Sequence, residues 1–197
     1  MGHLDVVSKL LAASADVNKP NNEGWTPLNC AASEGHSEVV SRLLIAGADF
    51  KIANIHGLPP LSIAVTKGYS EIILMLLGAG ADFNIRDNDG LTPLNAASCK
   101  SHLNIVKILV ELGSDLNRPD NSSRTPLNNA ASKGHLDVVS MLLAAKADVN
   151  APSKDGWTPL NSSAHKRHLE VLKLILESGA CVDRLALTCR TRMAGPP

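Results

Sequence analysis

A short phrase centred on Thr-Pro-Leu recurs along the chain at a fixed interval of 33 residues. Its proline keeps that step at Pro27, Pro60, Pro93, Pro126 and Pro159. Two further markers keep the same register: a histidine or tyrosine from His3 to His168, and an acidic residue from Asp16 to Asp148. Such a period indicates tandem units that stack on their neighbours, because one unit of this length cannot bury its own apolar face.

Two distant segments are nearly identical. "GHLDVVSKLLAASADVN" begins at Gly2 and returns from Gly134 as "GHLDVVSMLLAAKADVN", with differences only at Lys9/Met141 and Ser14/Lys146. The match indicates duplication within the chain.

Residues 123–155 illustrate the local structure that the sequence predicts for one unit. Thr125 is placed to cap a helix with its hydroxyl, and Pro126 suits the first helical position, where no N–H is needed. Gly134 ends this helix, since glycine tolerates positive φ. A second helix and a long loop rich in Asn, Asp, Pro and Gly follow. The apolar stripe of the second helix is predicted at Leu136, Val139, Leu142 and Leu143.

The repeated motifs resemble those of the ankyrin repeat. The matching residues are the T-P-L boxes beginning at Thr26, Thr92, Thr125 and Thr158, the Gly-His turns at Gly35 and Gly134, and the "GADFN" ending from Gly80. The resemblance covers residues 2 to 185. It implies an all-α solenoid of stacked helix-turn-helix repeats with β-hairpin or loop fingers.

One departure from the family pattern is systematic. The family usually has histidine after T-P-L, whereas this chain has Asn29, Ser62, Asn95, Asn128 and Asn161. Asn and Ser can bond nearby backbone, so we interpret the change as a swap within a structural polar role.

The period sets the expected domain boundaries. A partial repeat spans residues 1–23, full repeats span 24–56, 57–89, 90–122, 123–155 and 156–187, and together they form one array over 1–187. Thr191-Arg192-Met193 stands where a sixth box would fall, so residues 188–197 are expected to be a degenerate start of a further repeat or a disordered tail. We expect a monomer in solution, with end-to-end self-association through the truncated end repeats as an alternative.

The charge balance argues against several classes of partner. Lys plus Arg and Asp plus Glu both total 19, so the chain has no overall field to hold nucleic acid or an anionic membrane. No apolar run reaches the ~20 residues that span a bilayer, and no signal peptide is expected at the N-terminus. The four cysteines, Cys30, Cys99, Cys181 and Cys189, show no metal or redox spacing. They favour a reduced protein of the cytoplasm or nucleus.

No catalytic, metal or cofactor site is predicted. The histidines are one repeat apart, about 8–10 Å, which is too far for shared zinc ligation. Ser, His and Asp recur at repeat positions rather than at a single site, and no nucleophile-elbow or phosphate-loop motif occurs.

The fingers vary most and supply the first partner-binding candidates. One row precedes each box, at Trp25, Leu58, Leu91, Arg124 and Trp157. Six tip residues join it: Ile55, His56, Asn88, Asp89, Lys154 and Asp155. Trp and Arg are common interface hot spots, although both tryptophans could instead fill space against a neighbouring finger.

The second full repeat is the first place to look for a partner. Pro59 replaces the capping Thr there, and Ile63 and Val65 are expected to loosen the helix locally. Its finger is apolar at Ile55 and Leu58, so their replacement by serine should weaken binding of a true partner.

A lysine row provides a second candidate surface. Lys67, Lys100, Lys133 and Lys166 occupy one repeat position on the expected concave side. They could attract an acidic partner, or simply complement the helix C-termini and keep the surface soluble.

The sequence therefore predicts non-catalytic recognition of another protein through the concave face and the fingers. A spacer segment of a larger protein is the alternative, and binding of an acidic partner through the lysine row is a further one. The resemblance also implies that four asparagines could be hydroxylated, namely Asn18, Asn84, Asn117 and Asn150.

Overall fold

A computed structural model of the chain describes residues 4–182. Within that range the regular structure is eleven α-helices, and no strand is present. The chain divides into two compact units, one up to Ala96 and one from Ala97 onward. The expected tail at 188–197 lies outside the described residues.

The first unit pairs short inner helices with outer helices. Inner helix α2 contacts α4, while outer helix α3 contacts α1 and α5. Each inner helix also packs on the outer helix that follows it, α2 on α3 and α4 on α5. The elements are α1 (Leu4–Ala12), α2 (Pro27–Glu34), α3 (Ser37–Ile45), α4 (Pro60–Lys67), α5 (Ser70–Gly78) and α6 (Pro93–Lys100), which runs across the boundary between the units.

The second unit repeats this arrangement. Inner helices α8 and α10 contact each other, and outer helix α9 contacts both α7 and α11. The elements are α7 (Leu103–Glu111), α8 (Pro126–Lys133), α9 (Leu136–Ala144), α10 (Pro159–His165) and α11 (Leu169–Glu177).

The Thr-Pro-Leu box starts the inner helices as the sequence predicts. The hydroxyl of Thr125 accepts a hydrogen bond from the backbone N–H of Asn128 at 3.3 Å, and Pro126 occupies the first helical position. Helix α4 has no such side-chain cap, because Pro59 stands at its N-cap. The buried hydroxyl of Ser62, three residues on, has no hydrogen-bond partner in the described part of the chain. One typical side-chain cap contributes ~1 kcal/mol, so α4 forgoes about that much.

Glycine at the helix–helix turn is favoured by local geometry at Gly134. Its φ is +76°, and a Cβ placed on it would lie 2.5 Å from the Nδ1 atom of His168. The left-handed conformation disfavours a side chain, and the close approach of His168 leaves no room for one. Ser101 and Arg167, at the same repeat position, do have side chains at φ of 62° and 61°.

The core is formed by Leu, Val, Ile and Ala, but the predicted stripe of α9 is partly wrong. Val138, Val139 and Leu142 are buried, whereas Leu136 is 40 % exposed. Leu136 is the first residue of α9, at the edge of the layer, and Val138 replaces it in the core. The expected loosening around Ile63 and Val65 stays a prediction; both side chains are buried.

The cysteines do not all have the expected state. Cys30 and Cys99 are free thiols. Cys181 forms a disulfide bond, so the expectation of incidental free thiols is wrong at this position.

Candidate recognition surface

Each finger is a tight turn closed by one recurring polar residue. In the fourth finger, the Asp120 carboxylate accepts backbone hydrogen bonds from Ser122 at 2.8 Å and Arg124 at 2.9 Å. The Asp120 N–H in turn donates to the Arg124 carbonyl at 3.0 Å. Arg124 is therefore held through both its N–H and its carbonyl.

The same clamp recurs in every finger, so we call these residues the finger clamps. They are Asn21, Asn54, Asp87, Asp120 and Ser153, again one per 33 residues. Each fixes the backbone of the variable residue four positions later. The fingers are turns of this kind and contain no strand within residues 4–182, so the loop alternative of the predicted "hairpin or loop" fingers is the one observed. Burial raises the pKa of the Asp87 carboxyl, although the two backbone N–H groups it accepts from act in the opposite direction.

Successive fingers within each unit are also joined to one another. Ile55 N–H donates to the Glu23 carbonyl at 3.1 Å, and Asn88 N–H donates to the His56 carbonyl at 3.1 Å. In the second unit, Lys154 N–H donates to the Ser122 carbonyl at 2.9 Å. These bonds hold neighbouring fingertips in fixed register.

The residue after the box ties an inner helix to the next finger loop. Asn29 Nδ2 donates to the carbonyls of Ile52 and Leu58, both at 3.3 Å, and Asn128 Nδ2 donates to the Ala151 carbonyl at 2.8 Å. Asn29 and Asn128 thus have the structural polar role that the sequence predicts.

A cavity of about 360 Å³ lies in the second unit, between the fourth and fifth fingers and helices α8 and α10. We call it the finger groove. It is lined by Arg124, Asn128, Ser132, Lys133, Ser153, Trp157, Ser162, His165 and Lys166. Its size falls within the range of pockets that bind small ligands or anchor side chains, about 300–1,000 Å³.

One wall of the finger groove is aromatic. The rings of Trp157 and His165 have centroids 5.1 Å apart and planes tilted by 55°. Trp157 is still 41 % exposed, so its ring contact is with helix α10 and much of its surface faces solvent.

A protein-family model described as "Ankyrin repeats (3 copies)" matches the chain over residues 1–87, 61–153 and 118–186. The matches together extend from residue 1 to residue 186 of the 197. The chain belongs to the ankyrin repeat family. Its fold class is the ankyrin α-solenoid that the sequence predicts. Among curated proteins, none matches the chain significantly. Ankyrin repeats are generally protein–protein interaction modules, and proteins built from them are typically non-catalytic.

The structure brings together four of the predicted partner-binding residues of this ankyrin chain. Arg124, Lys133, Trp157 and Lys166 all line the finger groove. Lys154 and Asp155 lie beside it, exposed at the tip of the fifth finger.

The remaining predicted residues lie elsewhere. Lys67 and Lys100 are exposed at the ends of α4 and α6. Trp25, Leu58 and Leu91 are half-buried in their fingers, while Ile55, His56, Asn88 and Asp89 are exposed at the tips. Ile55 is 59 % exposed, and Asn88 is engaged with it, because the Asn88 amide donates to the Ile55 carbonyl at 2.9 Å.

Sequence reasoning missed two groups of residues here. His165, Ser132 and Ser162 line the finger groove but were not predicted as partner-binding residues. The finger clamps were missed as well, although their 33-residue step is visible in the sequence.

The described residues contain no group of three His, Cys, Asp or Glu side chains placed to hold a metal ion. His135, one of the repeated histidines, instead has its Nε2 atom 3.0 Å from the Cys99 carbonyl. Across residues 4–182 there is also no helix with the length and apolar character needed to cross a bilayer.

Proposed function

We propose that this ankyrin chain is a non-catalytic recognition module that binds another protein through its fingers and the finger groove. The finger groove is the observation that carries the proposal. It combines a partly exposed tryptophan with an arginine, two residue types that dominate interface energetics.

The finger clamps support the proposal because they order the surface in advance. The backbone of each variable residue is fixed by hydrogen bonds that do not involve its own side chain. A partner therefore meets fingers that are already ordered, and the entropic cost of binding is reduced. The side chain can vary from Trp to Leu to Arg without changing the turn.

The apolar second finger supports a contribution from the first unit. Ile55 is 59 % exposed, and Leu58 is half-buried behind it. An exposed branched aliphatic side chain at a rigid tip can anchor in a partner's pocket. We expect the double replacement of Ile55 and Leu58 by serine to weaken binding to any partner that covers this finger.

The test is selection of binding peptides from a displayed random library, with peptides of about twelve residues, on the immobilised chain. A matched variant carries alanine at Trp25, Leu58, Leu91, Arg124 and Trp157, and its fold is checked by circular dichroism. Enrichment on the wild type and loss on the variant is the expected result. If no peptide is enriched on the folded wild type, the module reading is wrong and the spacer alternative is favoured.

A further inference from the structure

We propose that the finger groove binds a short extended acidic segment of a partner protein, with carboxylates held by Lys133, Lys166 and Arg124 and a neighbouring side chain packed on Trp157. The inference rests on the proposed function and identifies the chemistry of the partner. The inference is supported by charge complementarity between the basic lining of the finger groove and an acidic segment.

The lining of the finger groove is basic although the whole chain is neutral. Three of its nine lining residues carry a positive charge, and none of the nine, all within the described part of the chain, is acidic. The formal net charge of the chain at pH 7 is zero. The lining itself is therefore more basic than the chain as a whole, although Asp120 and Asp155 lie in the two fingers that border it.

Helix ends reduce this charge but do not cancel it. Lys133 is the last residue of α8, and Lys166 caps α10. A helix C-terminus carries about −0.5 of a charge, so two of them offset about one of the three positive charges. Arg124 has interactions of its own, so we count only the two lysines, which keep about one positive charge for a ligand after the two helix ends are subtracted.

Spacing favours an extended peptide as the occupant. Lys133 and Lys166 are one repeat apart on inner helices that pack against each other, which places their backbones about 8–10 Å apart. An extended chain of the polyproline II type advances about 3.1 Å per residue with three residues per turn, so carboxylates three positions apart lie on one face at about this separation. Two acidic side chains at positions i and i+3 can each meet one lysine.

Trp157 adds an apolar contact surface to the charged side chains of the finger groove. Its partly exposed ring lies beside the cations and is braced by His165. Aromatic and apolar side chains pack well on such a ring. We therefore expect the bound segment to have an apolar or aromatic residue next to its acids.

The experiment begins with the peptides enriched on the wild-type chain in the library described above. Acidic peptides with an adjacent apolar residue are the expected class. Their affinity is measured by fluorescence anisotropy for the wild type, for a Lys133→Glu/Lys166→Glu variant, and for the control Lys67→Glu. Lys67 occupies the same repeat position in the first unit, so its reversal controls for one such change of charge at a site outside the finger groove.

We expect the double reversal to weaken binding at least about tenfold and Lys67→Glu to change it less than about twofold. Raising the salt concentration from about 0.05 M to 0.3 M should also weaken binding, because the contacts are screened. With Trp25→Phe, so that Trp157 is the sole tryptophan, its emission should change on binding.

Four results would overturn the inference. Enriched peptides that lack acids, or acidic peptides unaffected by the double reversal, leave the recognition module intact but refute the acidic segment. Equal binding of a heparin oligosaccharide or a single-stranded DNA oligomer shows a general polyanion site instead. Failure to enrich any peptide refutes both proposals together.

Discussion

Outer helices α1 and α9 have nearly identical sequences but different surroundings. We therefore predict that the same Leu→Ala substitution lowers the free energy of unfolding by different amounts in the two helices. Helix α1 reads LDVVSKLLA and α9 reads LDVVSMLLA. Leu142 of α9 is fully buried, whereas its counterpart Leu10 is 54 % exposed. Leu142→Ala should therefore remove about 3–4 kcal/mol from the free energy of unfolding, since it leaves a cavity as well as losing apolar contact.

Leu10→Ala should cost about 1 kcal/mol or less. A fully buried leucine contributes about 1.5–3 kcal/mol by transfer from water, and roughly half of the Leu10 side chain is already in water. Its surroundings are an open apolar cavity of about 440 Å³ bounded by α1, α2 and α3, so truncation creates no enclosed void.

Urea unfolding followed by tryptophan fluorescence can measure both costs. Each unit contains one tryptophan, Trp25 or Trp157, and replacing the other by phenylalanine reports on one unit at a time. With a slope of about 2 kcal/mol per molar urea, Leu142→Ala should lower the midpoint by about 1.5–2 M and Leu10→Ala by about 0.5 M or less. Lys9→Met removes the single sequence difference between the two helices, and Leu142→Ala should still lower the midpoint more than Leu10→Ala in that background. Equal shifts for the two alanine variants would refute the argument that neighbours, rather than helix sequence, set the cost.

Three further predictions follow from local geometry. Pro59→Thr should restore the missing cap of α4 and raise the thermal midpoint, by an amount equivalent to about 0.5–1 kcal/mol; an unchanged or lower midpoint counts against it. Gly134→Ala should destabilise the chain by at least about 1 kcal/mol more than Gly47→Ala in chemical denaturation. Both glycines have positive φ, but a Cβ at Gly134 meets His168 while one at Gly47 meets no atom within 4 Å. Burial, followed by the charge of Glu34, raises the pKa of the Cys30 thiol, so less thiolate is present near neutral pH. Glu34→Gln should lower that pKa and speed alkylation of Cys30 at pH 7.5, measured by peptide mass spectrometry, and a slower reaction would contradict the assigned cause.

The repeated framework was predictable because its causes are local. Thr125, Pro126 and Gly134 act on residues within a few positions of themselves, through a cap, a fixed φ and a left-handed turn. Such effects are encoded in residue type and spacing alone. The family assignment followed from the same features.

Contacts between elements were less predictable. The apolar stripe of α9 was predicted to include Leu136, but Val138 is buried instead, since periodicity does not fix where a helix begins. The contact of Trp157 with His165 joins a finger to the last residue of an inner helix, and its orientation depends on the turn set by Ser153. Residue spacing carries no direct information on either.

The finger groove also shows why one variable residue cannot define a binding site. Trp25 and Trp157 precede the same box in different repeats, and each is followed nine positions later by a charged residue. That residue is Glu34 after Trp25 and Lys166 after Trp157. A glutamate at this repeat position would repel an acidic segment, whereas Lys166, which lines the finger groove together with Trp157, would attract it. Exchange of this one charge, by Lys166→Glu, should therefore reduce the preference for acidic peptides without disturbing the backbone of Trp157. The Trp157 N–H donates to the Ser153 hydroxyl at 3.1 Å, and its carbonyl accepts from the Ser153 N–H at 2.9 Å. If the proposed acidic segment binds, its specificity depends on a finger residue together with the helix-end residue that lines the same groove.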